Sequence, residues 1–578
     1  MRVPNTLNWK VGGPAGEGIM TTGLIFSKTI ARHGIKVFDY TEYPSLITGG
    51  HNTYQVYASQ NSATSQYQKL DVLIALDKPT LDLHHDEFYD NTLVIYDAQD
   101  DKINIEEHNL PVKNFNLPMV QLATESGGSR LMANNVALGA SMFLFGLDLE
   151  ILNGVIQDVF GRKGEEIVTK NQNAAKAGYD FMKMHLGQPI LTIDKVEDKN
   201  YLTMTGNEAI SMGAIAGGLQ LYTAYPMTPS SSVLHVLAEK AKTADIVVKH
   251  AEDEIGVINM ALGASFAGVR SMVGTSGGGF CYMSEALGLS GVAEIPLVVL
   301  ESMRPGPAAG MPTWTAQGDI QFIITASQDE FPRFVVAPAD AQEAFELTRL
   351  AMDLSEKYQT LVIVVADKLL SESRHTMELE STQFNNTRVG FEENPQLDEV
   401  GFYPRYQDSE SGIGKRTIPG QKDGYYLSNS YEHDKYGFAS EEGRVRVEQV
   451  DKRAKKFELM KGEILPQYFE DNGGEMTLVS YGSTKGAVIA ARELLEQQGI
   501  KVNIFNLTWI WPFPVEQVEK VLSMDVPFAV VEGNSTGQLG KIITMETGIK
   551  ITNKLLKYDG RPFYPYEIVQ FVRNTLKK

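Results

Sequence analysis

The alternation of strand-like and helix-like segments is the feature that most constrains the fold of this chain. Near the N-terminus, the strand-like Trp9-Lys10-Val11 runs into a glycine turn and then into a helix-like segment from Ile19 to Arg32. Further strand-like segments follow at Val37-Phe38, Tyr54–Tyr57, Asp71–Leu76 and Thr92–Tyr96. This βα pattern predicts an α/β unit with a mostly parallel sheet covered by helices, which we place at residues 1–190.

The same alternation returns twice farther along the chain. A second unit, residues 200–375, has strand-like segments at 246–249, 271–274, 296–300, 333–337 and 360–366. A third unit, residues 470–578, has strands at 476–481, 501–505 and 528–532 and a helix at 485–498. Residues 376–465 lack periodicity and are too long for a plain connection, so they form a functional excursion or a mobile linker. The predicted class is three α/β domains and one extended segment.

Composition excludes several classes of function. The chain of 578 residues carries a formal charge of −20, which argues against nucleic acid and against anionic membrane surfaces as partners. Its one cysteine, Cys281, cannot form an internal disulfide, and no Cys-x-x-Cys pair is present to bind zinc or iron–sulfur clusters. No signal-peptide architecture and no apolar run of membrane length occur. We therefore expect a soluble cytoplasmic protein without its own metal site, which does redox work only through a partner.

Two glycine-rich runs follow predicted strands. The run from Gly12 to Gly18 opens a helix, as phosphate-binding turns do, but it has neither the dinucleotide spacing nor a P-loop ending. The Gly12–Gly18 run is therefore either a phosphate-binding loop or a structural tight turn. The run from Thr275 to Phe280 lets backbone approach either a ligand or a neighbouring domain. Glycine content alone does not separate these alternatives.

Three further segments carry candidate functional groups. The string Tyr225-Pro226-Met227-Thr228-Pro229 is stiffened by two prolines, although Thr-Pro-Ser also occurs as an ordinary helix N-cap. The acidic run that ends at Glu254 opens a helix, where carboxylates usually complement the helix dipole. Arg304 follows an apolar strand in a loop rich in Gly and Pro, a position suited to binding a carboxylate and equally open to a surface arginine.

Together these segments resemble the alpha subunit of 2-oxoacid:ferredoxin oxidoreductases, in the form with a gamma domain fused at the N-terminus. The resemblance covers nearly the whole chain. It is carried most specifically by Tyr225–Ser231 and the Arg304–Thr313 loop. Weaker matches are the remaining motifs: Gly13–Gly18, Glu42–Asn52, Glu252–Ile255, Thr275–Phe280, Glu432–Asp434 and Val531–Leu539.

The resemblance implies a thiamine diphosphate enzyme and a role for individual residues. The middle unit would be the pyrimidine-binding domain, and the last unit would be similar to a transketolase C-terminal domain. Glu254 would hydrogen-bond the ring nitrogen N1′ of the cofactor, for which its carboxyl must be protonated or share a proton. Arg304 would bind the C1 carboxylate of the 2-oxoacid, and Thr228 would lie near substrate or cofactor. Tyr225 and Pro226 would line the cofactor site.

The missing motifs imply a partner. No Gly-Asp-Gly motif for Mg²⁺ and diphosphate is present, and there are no cluster cysteines. A beta subunit should supply Mg²⁺, the diphosphate site and a 4Fe–4S cluster, with ferredoxin as electron acceptor and coenzyme A as second substrate. The assembly expected from the resemblance is a dimer of alpha–beta heterodimers.

Two positions depart from the family pattern. Thr48 stands where the family usually has a basic residue, which weakens the case for this loop as a binding site for an anion such as coenzyme A. Gly278 replaces a usual proline. Overall resemblance favours 2-oxoglutarate, converted to succinyl-CoA, with pyruvate and either direction of flux left open. The alternatives are an E1-type 2-oxoacid dehydrogenase component and a non-catalytic scaffold or coenzyme A-binding subunit. A nicotinamide enzyme is a weaker reading.

Overall fold

The computed structural model describes residues 5–45, 50–99, 103, 105, 112–196, 199, 201–378 and 387–578. The chain divides into two compact units. The first comprises Met1–Met204 with Glu372–Leu379, and the second comprises Thr205–Ser371 with Glu380–Lys578.

The first unit is a layered α/β structure around one eight-stranded sheet. In chain order its strands and helices are β1 Thr6–Pro14, α1 Ile19–Arg32, β2 Lys36–Glu42, β3 His51–Ser59, β4 Val72–Ala75, α2 Lys78–Leu83, β5 Leu93–Tyr96, β6 Lys113–Asn116, α3 Met119–Glu125, α4 Ala133–Phe145, α5 Leu149–Phe160, α6 Glu165–Leu186 and β7 Leu202–Thr205, joined later by β14 Arg374–Met377.

The strand order in this sheet is β6-β5-β4-β1-β3-β2-β14-β7. Strands β1, β4, β5 and β6 pair in parallel. The pairs β1–β3, β2–β3 and β2–β14 are antiparallel, so the prediction of a mostly parallel sheet is wrong for this unit. For the β2–β3 pair the reason is the connection between them, which is too short to hold the helix that a parallel crossover needs.

The glycine run of this unit forms a tight turn. Gly12 and Gly13 belong to β1, whereas Gly16 and Gly18 have positive φ angles of 96° and 80°, a conformation that side chains other than glycine rarely adopt. The Ala15 amide donates to the Gly50 carbonyl at 3.0 Å and ties the turn to the start of β3. The neighbouring motif position Thr48 lies outside the described residues.

The second unit begins with a larger α/β layer. Its elements are α7 Gly206–Ala216, β8 Leu221–Ala224, α8 Ser231–Ala244, β9 Val247–His250, α9 Glu254–Phe266, β10 Ser271–Thr275, α10 Gly277–Val292, β11 Leu297–Met303, α11 Ile320–Thr325, β12 Arg333–Val336, α12 Ala341–Tyr358, β13 Leu361–Asp367 and α13 Lys368–Glu372.

Seven strands form the middle sheet, in the order β18-β12-β13-β11-β10-β8-β9. The strands β8 to β13 pair in parallel, and helices separate them along the chain as the sequence predicts for this domain. Helix α7 starts with a capping box, in which Thr205 Oγ1 accepts from the Glu208 amide at 3.1 Å and the Glu208 carboxylate accepts from the Thr205 amide at 2.9 Å. Sequence analysis did not identify the four-residue strand β8.

The last part of the second unit carries the third sheet. Its elements are α14 Gly443–Met460, β15 Tyr468–Glu470, β16 Thr477–Tyr481, α15 Thr484–Glu496, β17 Asn503–Leu507, β18 Trp509–Trp511, α16 Val515–Leu522, β19 Phe528–Glu532, α17 Gln538–Thr547, β20 Asn553–Leu556 and α18 Pro565–Leu576.

The third sheet has the strand order β15-β17-β16-β19-β20 and is parallel except at its β15 edge. The short strand β18 leaves this region and adds an antiparallel edge to the middle sheet. One hydrophobic core runs across both layers and includes Val273 and Val299 with Val479 and Leu507. The predicted fold class, three α/β domains, is confirmed. The exact boundaries given for them stay a prediction.

Residues 387–442 are fastened to the second unit by buried charges. Glu356 of α12, whose side chain is 1% exposed, pairs with Arg270, Arg388 and Arg416 at 2.8, 2.5 and 3.1 Å. Glu294 pairs with Lys452 and Lys456 of α14, both buried. Arg388 and Arg416 therefore fasten this segment to Glu356, which also pairs with the buried Arg270, and Lys452 and Lys456 fasten α14 to Glu294.

Candidate active site

The loop that follows β8 is anchored by a hydrogen bond from α7 and by one within the loop itself. Asn207 Nδ2 of α7 donates to the Pro229 carbonyl at 2.8 Å, and the Ser230 hydroxyl donates to the Met227 carbonyl at 2.8 Å. Ser230 makes no side-chain capping bond to helix α8. The ordinary N-cap reading of this string is therefore not what the structure contains.

The first two residues of the same loop, Tyr225 and Pro226, are exposed to solvent. The Tyr225 side chain is 39% exposed, and Pro226 is exposed as well. The Tyr225 ring lies 6.2 Å from the His250 ring, centroid to centroid, at the end of β9. These two predicted cofactor-lining residues therefore lie exposed at the carboxyl edge of the middle sheet, directly after β8.

Glu254 differs from the other carboxylates of its cluster. Asp253 caps helix α9, because its Oδ1 accepts from the Gly256 amide at 2.7 Å, and Glu252 is exposed. Glu254 is only 5% exposed, and its Oε1 is buried with no hydrogen-bond partner among the described residues. Helix capping thus accounts for Asp253. Glu254 stands in the first turn of α9, but a position near the helix dipole does not explain its burial, because a buried carboxyl oxygen without a hydrogen-bond partner costs free energy.

The glycine run after β10 makes room for Glu254. Gly279 lies in the first turn of helix α10, where a Cβ would come within 2.1 Å of Thr275 Oγ1 and 2.8 Å of Glu254 Oε1. A side chain at this position would displace the carboxyl. The neighbouring Gly278 has only the Ala308 carbonyl oxygen near it, at 3.8 Å. The close approach of Thr275 and Glu254 therefore explains why glycine stands at position 279.

Arg304 is tied to the loop after β8. Its Nη1 donates to the Thr228 carbonyl at 2.7 Å, and its Nε is buried without a hydrogen-bond partner among the described residues. Burial lowers the pKa of Arg304, and the nearby charge of Glu301 acts in the opposite direction. Arg304 is thus not a free surface arginine. The Thr228 atom in this contact is the carbonyl and not the hydroxyl.

The predicted catalytic residues converge on one edge of the middle sheet. Strands β9, β8, β10 and β11 are neighbours, and the loops after them carry the candidate groups. Met227 Sδ lies 4.0 Å from Thr275 Oγ1, which connects the loop holding Thr228 to the turn beside Glu254. Clefts at the carboxyl ends of parallel strands are where open α/β sheets bind ligands.

The structure adds acidic residues that sequence reasoning missed. Burial raises the pKa of Asp319 to about 6, and the pKa values of Asp367 and of the fully buried Glu301 are raised by burial as well. A sequence signal for Glu301 exists: it is the one charged residue of strand β11, whose other residues are apolar except for Ser302. Asp367 carries a comparable signal, because it is the one charged residue of the otherwise apolar strand β13, whereas Asp319 lies in a loop and carries none.

Gln317 is a second residue that only the structure identifies. Its amide donates to the Gly533 carbonyl at 2.7 Å, and its side-chain Nε2 donates to the Tyr481 carbonyl at 3.1 Å. Its side-chain oxygen accepts from the Thr484 hydroxyl at 2.9 Å. Gln317 therefore fixes the loop after Arg304 to the third sheet.

Metal-binding clusters and membrane-spanning helices are both absent from the described part of the chain. No group of three or more His, Cys, Asp or Glu side chains has an arrangement suited to a metal ion. None of the described helices combines the length and the apolar character needed to cross a membrane.

The fold and site together define an α/β protein with buried charged groups at the carboxyl edge of a parallel sheet. Three family models match it. Residues 8–181 match the pyruvate ferredoxin/flavodoxin oxidoreductase family, and residues 212–452 match the thiamine diphosphate-binding family of pyruvate flavodoxin/ferredoxin oxidoreductase. Residues 474–568 match core domain II of pyruvate:ferredoxin oxidoreductase.

Individual relatives agree with these models. The alpha subunit of a Sulfolobus 2-oxoacid:ferredoxin oxidoreductase is 31% identical over 99% of this chain and 97% of its own length. The 2-oxoglutarate oxidoreductase subunit KorA of Mycobacterium tuberculosis is 26% identical over 98% of this chain and 91% of its own. A solved structure, 2-oxoglutarate:ferredoxin oxidoreductase from Magnetococcus marinus with 2-oxoglutarate, coenzyme A and succinyl-CoA bound, superposes with a TM-score of 0.90 at 31% identity, covering 99% of this chain and 100% of that one.

The chain belongs to the family of 2-oxoacid:ferredoxin oxidoreductase alpha subunits, with the gamma-type domain at its N-terminus. It is therefore a subunit of an oxidoreductase that works as a multi-subunit enzyme. The resemblance drawn from the sequence motifs is confirmed.

Proposed function

We propose that this chain is the alpha subunit of a thiamine diphosphate-dependent enzyme that interconverts 2-oxoglutarate and coenzyme A with succinyl-CoA, CO₂ and reduced ferredoxin. The choice of 2-oxoglutarate is supported by the names of KorA and of the Magnetococcus marinus enzyme. The observation that carries the dependence on thiamine diphosphate is the buried, unpartnered carboxyl oxygen of Glu254.

The residues around Glu254 fit the pyrimidine end of this cofactor. A carboxyl with a buried free oxygen can share a proton with a ring nitrogen, and the 5% exposure of Glu254 excludes the water that would compete for it. Gly279 leaves the space that Glu254 occupies. When bound, thiamine diphosphate supplies the electron sink that lets a 2-oxoacid lose CO₂. In this proposal Glu254 holds and orients the proton at N1′, while Tyr225 and Pro226 line the entrance.

Arg304 and Thr228 would orient the substrate. A guanidinium can pair with both oxygens of the C1 carboxylate, and the bond from Nη1 to the Thr228 carbonyl fixes its plane. Its buried Nε is a donor still without a partner among the described residues, so it remains available for a carboxylate oxygen. Fixing the carboxylate positions the keto carbon for reaction, which is a contribution of orientation.

The electrons must leave through another chain. With Cys281 as its only cysteine, this chain cannot ligate a 4Fe–4S cluster, which needs four thiolates. We assign that cluster, Mg²⁺ and the diphosphate-binding residues to a beta subunit, and propose a dimer of alpha–beta heterodimers that passes electrons to ferredoxin. The chain itself stays without nucleic-acid or membrane partners in this proposal.

Exposed apolar side chains beside the site support a docked partner. On helix α9, Ile255 is 53% and Met260 47% exposed, and a Cβ on Gly263 would meet no atom within 4 Å. On helix α10, Tyr282 is 66% exposed. Clustered exposed apolar side chains are typical of protein–protein contacts. Met260 and Gly263 lie three residues apart on α9 and are both exposed, and we assign this face of the helix to the beta-subunit contact.

The test is to co-purify the chain with its partner and screen 2-oxoglutarate, pyruvate and branched 2-oxoacids with coenzyme A and ferredoxin. The proposal expects iron–sulfur absorbance, thiamine diphosphate in the complex, and the highest kcat/KM for 2-oxoglutarate. A complex without iron–sulfur absorbance that acylates lipoamide would identify an E1-type component instead. A scaffold would be indicated if Glu254→Gln left turnover unchanged.

A further inference from the structure

Glu301 is an ionisable group beside the proposed substrate site that the proposed function leaves without a role. It lies on β11, three residues before Arg304. Its exposure is 0%, and within the described part of the chain both of its carboxyl oxygens lack a hydrogen-bond partner. A carboxylate in such a position would be desolvated without compensation, so burial favours the protonated acid.

The charges that act on Glu301 come from several elements. Asp319, before α11, and Asp367, at the end of β13, disfavour its ionisation, and Arg304 favours it. Glu301 in turn acts on Cys281 of α10 and on Tyr481 of β16. Burial above all, with the charges of Asp319 and Asp367, holds the pKa of Glu301 well above its usual value.

Glu301 is also connected, through strand pairing, to the edge of the middle sheet that carries Thr228, Glu254 and Arg304. It pairs in register with Thr275 on β10, whose hydroxyl lies beside Gly279 and Glu254. Since in-register neighbours in a parallel sheet point to the same face, Glu301 and Thr275 share the face on which Glu254 packs. The Arg304 guanidinium makes its hydrogen bond to Thr228 and not to Glu301, so these two groups interact through space.

We propose that Glu301 is a positioning residue that must carry a proton for Arg304 to accept a 2-oxoacid. The ionised Glu301 carboxylate and the substrate carboxylate compete for the same guanidinium charge. When Glu301 is ionised, substrate binding requires one proton to be taken from solvent onto Glu301, forming its O–H bond. The inference rests on the assignment of Arg304 in the proposed function. It concerns how the charge of that site is regulated.

The test is the pH profile of kcat/KM for 2-oxoglutarate, measured on the holoenzyme from pH 6 to 10 with saturating coenzyme A and acceptor. The substrate carboxylates are ionised throughout this range, so they cannot produce an alkaline fall. Wild-type kcat/KM should fall about tenfold per pH unit once Glu301 ionises. Glu301→Gln should abolish this fall, whereas the exposed Glu346→Gln should retain it.

Two neighbours give a second readout. Asp319→Asn and Asp367→Asn each remove an anion that opposes ionisation of Glu301, so each should move the alkaline fall to lower pH. Any merely structural role would not move it in that direction. The inference is overturned if the wild-type profile is flat to pH 10, if Glu301→Gln keeps the fall, or if both Asn variants leave it unmoved.

A further variant separates this inference from the proposed function. Arg304→Gln should lose kcat/KM for 2-oxoglutarate at every pH. If it does not, the assignment of Arg304 fails, and the inference about Glu301 falls with it. If Arg304→Gln loses activity while Glu301→Gln keeps the alkaline fall, the proposed function stands and only the inference about Glu301 is wrong.

Discussion

Replacing Glu254 with Gln is the sharpest test of the candidate site. The two side chains are nearly equal in size. Glu254 is buried against Gly279, and it has no ion-pair partner among the described residues to lose. The exchange therefore leaves no cavity and should change the free energy of unfolding by less than about 1.5 kcal/mol. The amide, however, cannot share the proton that the proposed mechanism places between this carboxyl and the cofactor ring.

The expected loss of turnover follows from that missing proton. Positioned acid–base groups contribute about 10²- to 10⁴-fold, which corresponds to about 2.7–5.4 kcal/mol of transition-state stabilisation. The assay is 2-oxoglutarate- and coenzyme A-dependent reduction of an electron acceptor by the purified complex. Thermal unfolding and bound thiamine diphosphate should be measured in parallel. A loss of activity with an unchanged melting temperature would assign the effect to chemistry.

Glu252→Gln is the matched control. Glu252 lies two residues earlier in the same loop and is exposed, so its replacement should keep activity within about twofold of the parent, as surface changes usually do. The reasoning is refuted if Glu254→Gln retains activity within a factor of a few. It is equally refuted if Glu252→Gln loses as much.

Three further predictions concern other charges. Arg304→Lys should lower kcat/KM for every 2-oxoacid, with a loss of transition-state stabilisation of about 2–5 kcal/mol, because a point charge cannot pair with both carboxylate oxygens. Steady-state kinetics checks this. Glu294→Gln should reduce the free energy of unfolding by about 3–5 kcal/mol in urea titrations, because it leaves the buried Lys452 and Lys456 without their counter-ion. Burial raises the pKa of Asp319 from 3.8 to about 6, so the folded chain holds a proton that the unfolded chain loses between these values and stability falls as pH rises through this window. Asp319→Asn should therefore gain up to about 3 kcal/mol over wild type in urea titrations between pH 4 and pH 7.

Each of these predictions has a contrary outcome. Full activity of Arg304→Lys on pyruvate with loss only on 2-oxoglutarate would mean that Arg304 reads the distal carboxylate. Glu448→Gln breaks the exposed pair with Arg444 and should reduce the free energy of unfolding by less than about 0.5 kcal/mol. If it cost as much stability as Glu294→Gln, burial would not be the cause of the loss at Glu294. A stability difference for Asp319→Asn that does not grow with pH would contradict a proton held in the fold.

Local patterns in the sequence were sufficient for much of the architecture. Helix α1 runs from Ile19 to Arg32 and strand β19 from Phe528 to Glu532, as predicted. These elements depend on hydrophobic periodicity and on backbone hydrogen bonds between residues close in sequence or in regular repeats. The four-residue strand β8 and helix α14 were missed, because a short strand has too few residues for a period and α14 has a strongly polar composition.

Motif residues located part of the candidate site in the same way. Thr228, Glu254 and Arg304 were selected because each follows a strand or opens a helix with a characteristic string. The structure brings them to one edge of the middle sheet. Their proposed roles stay predictions. What the sequence could not distinguish was Asp253 from Glu254, because a helix cap and a buried carboxyl look alike until the exposed fraction of each is known.

The sequence by itself determined the α/β class, the order of the domains and the family, since these depend on periodicity and on strings of adjacent residues. Only the tertiary structure decided the antiparallel half of the first sheet, the addition of β18 to the middle sheet, and the contacts of Gln317 and Glu294. The Lys452 partner of Glu294 lies 158 residues away, and the Asn534 partner of Gln317 lies 217 residues away. No local pattern encodes such pairs, because burial and charge pairing are set by which distant segments pack together.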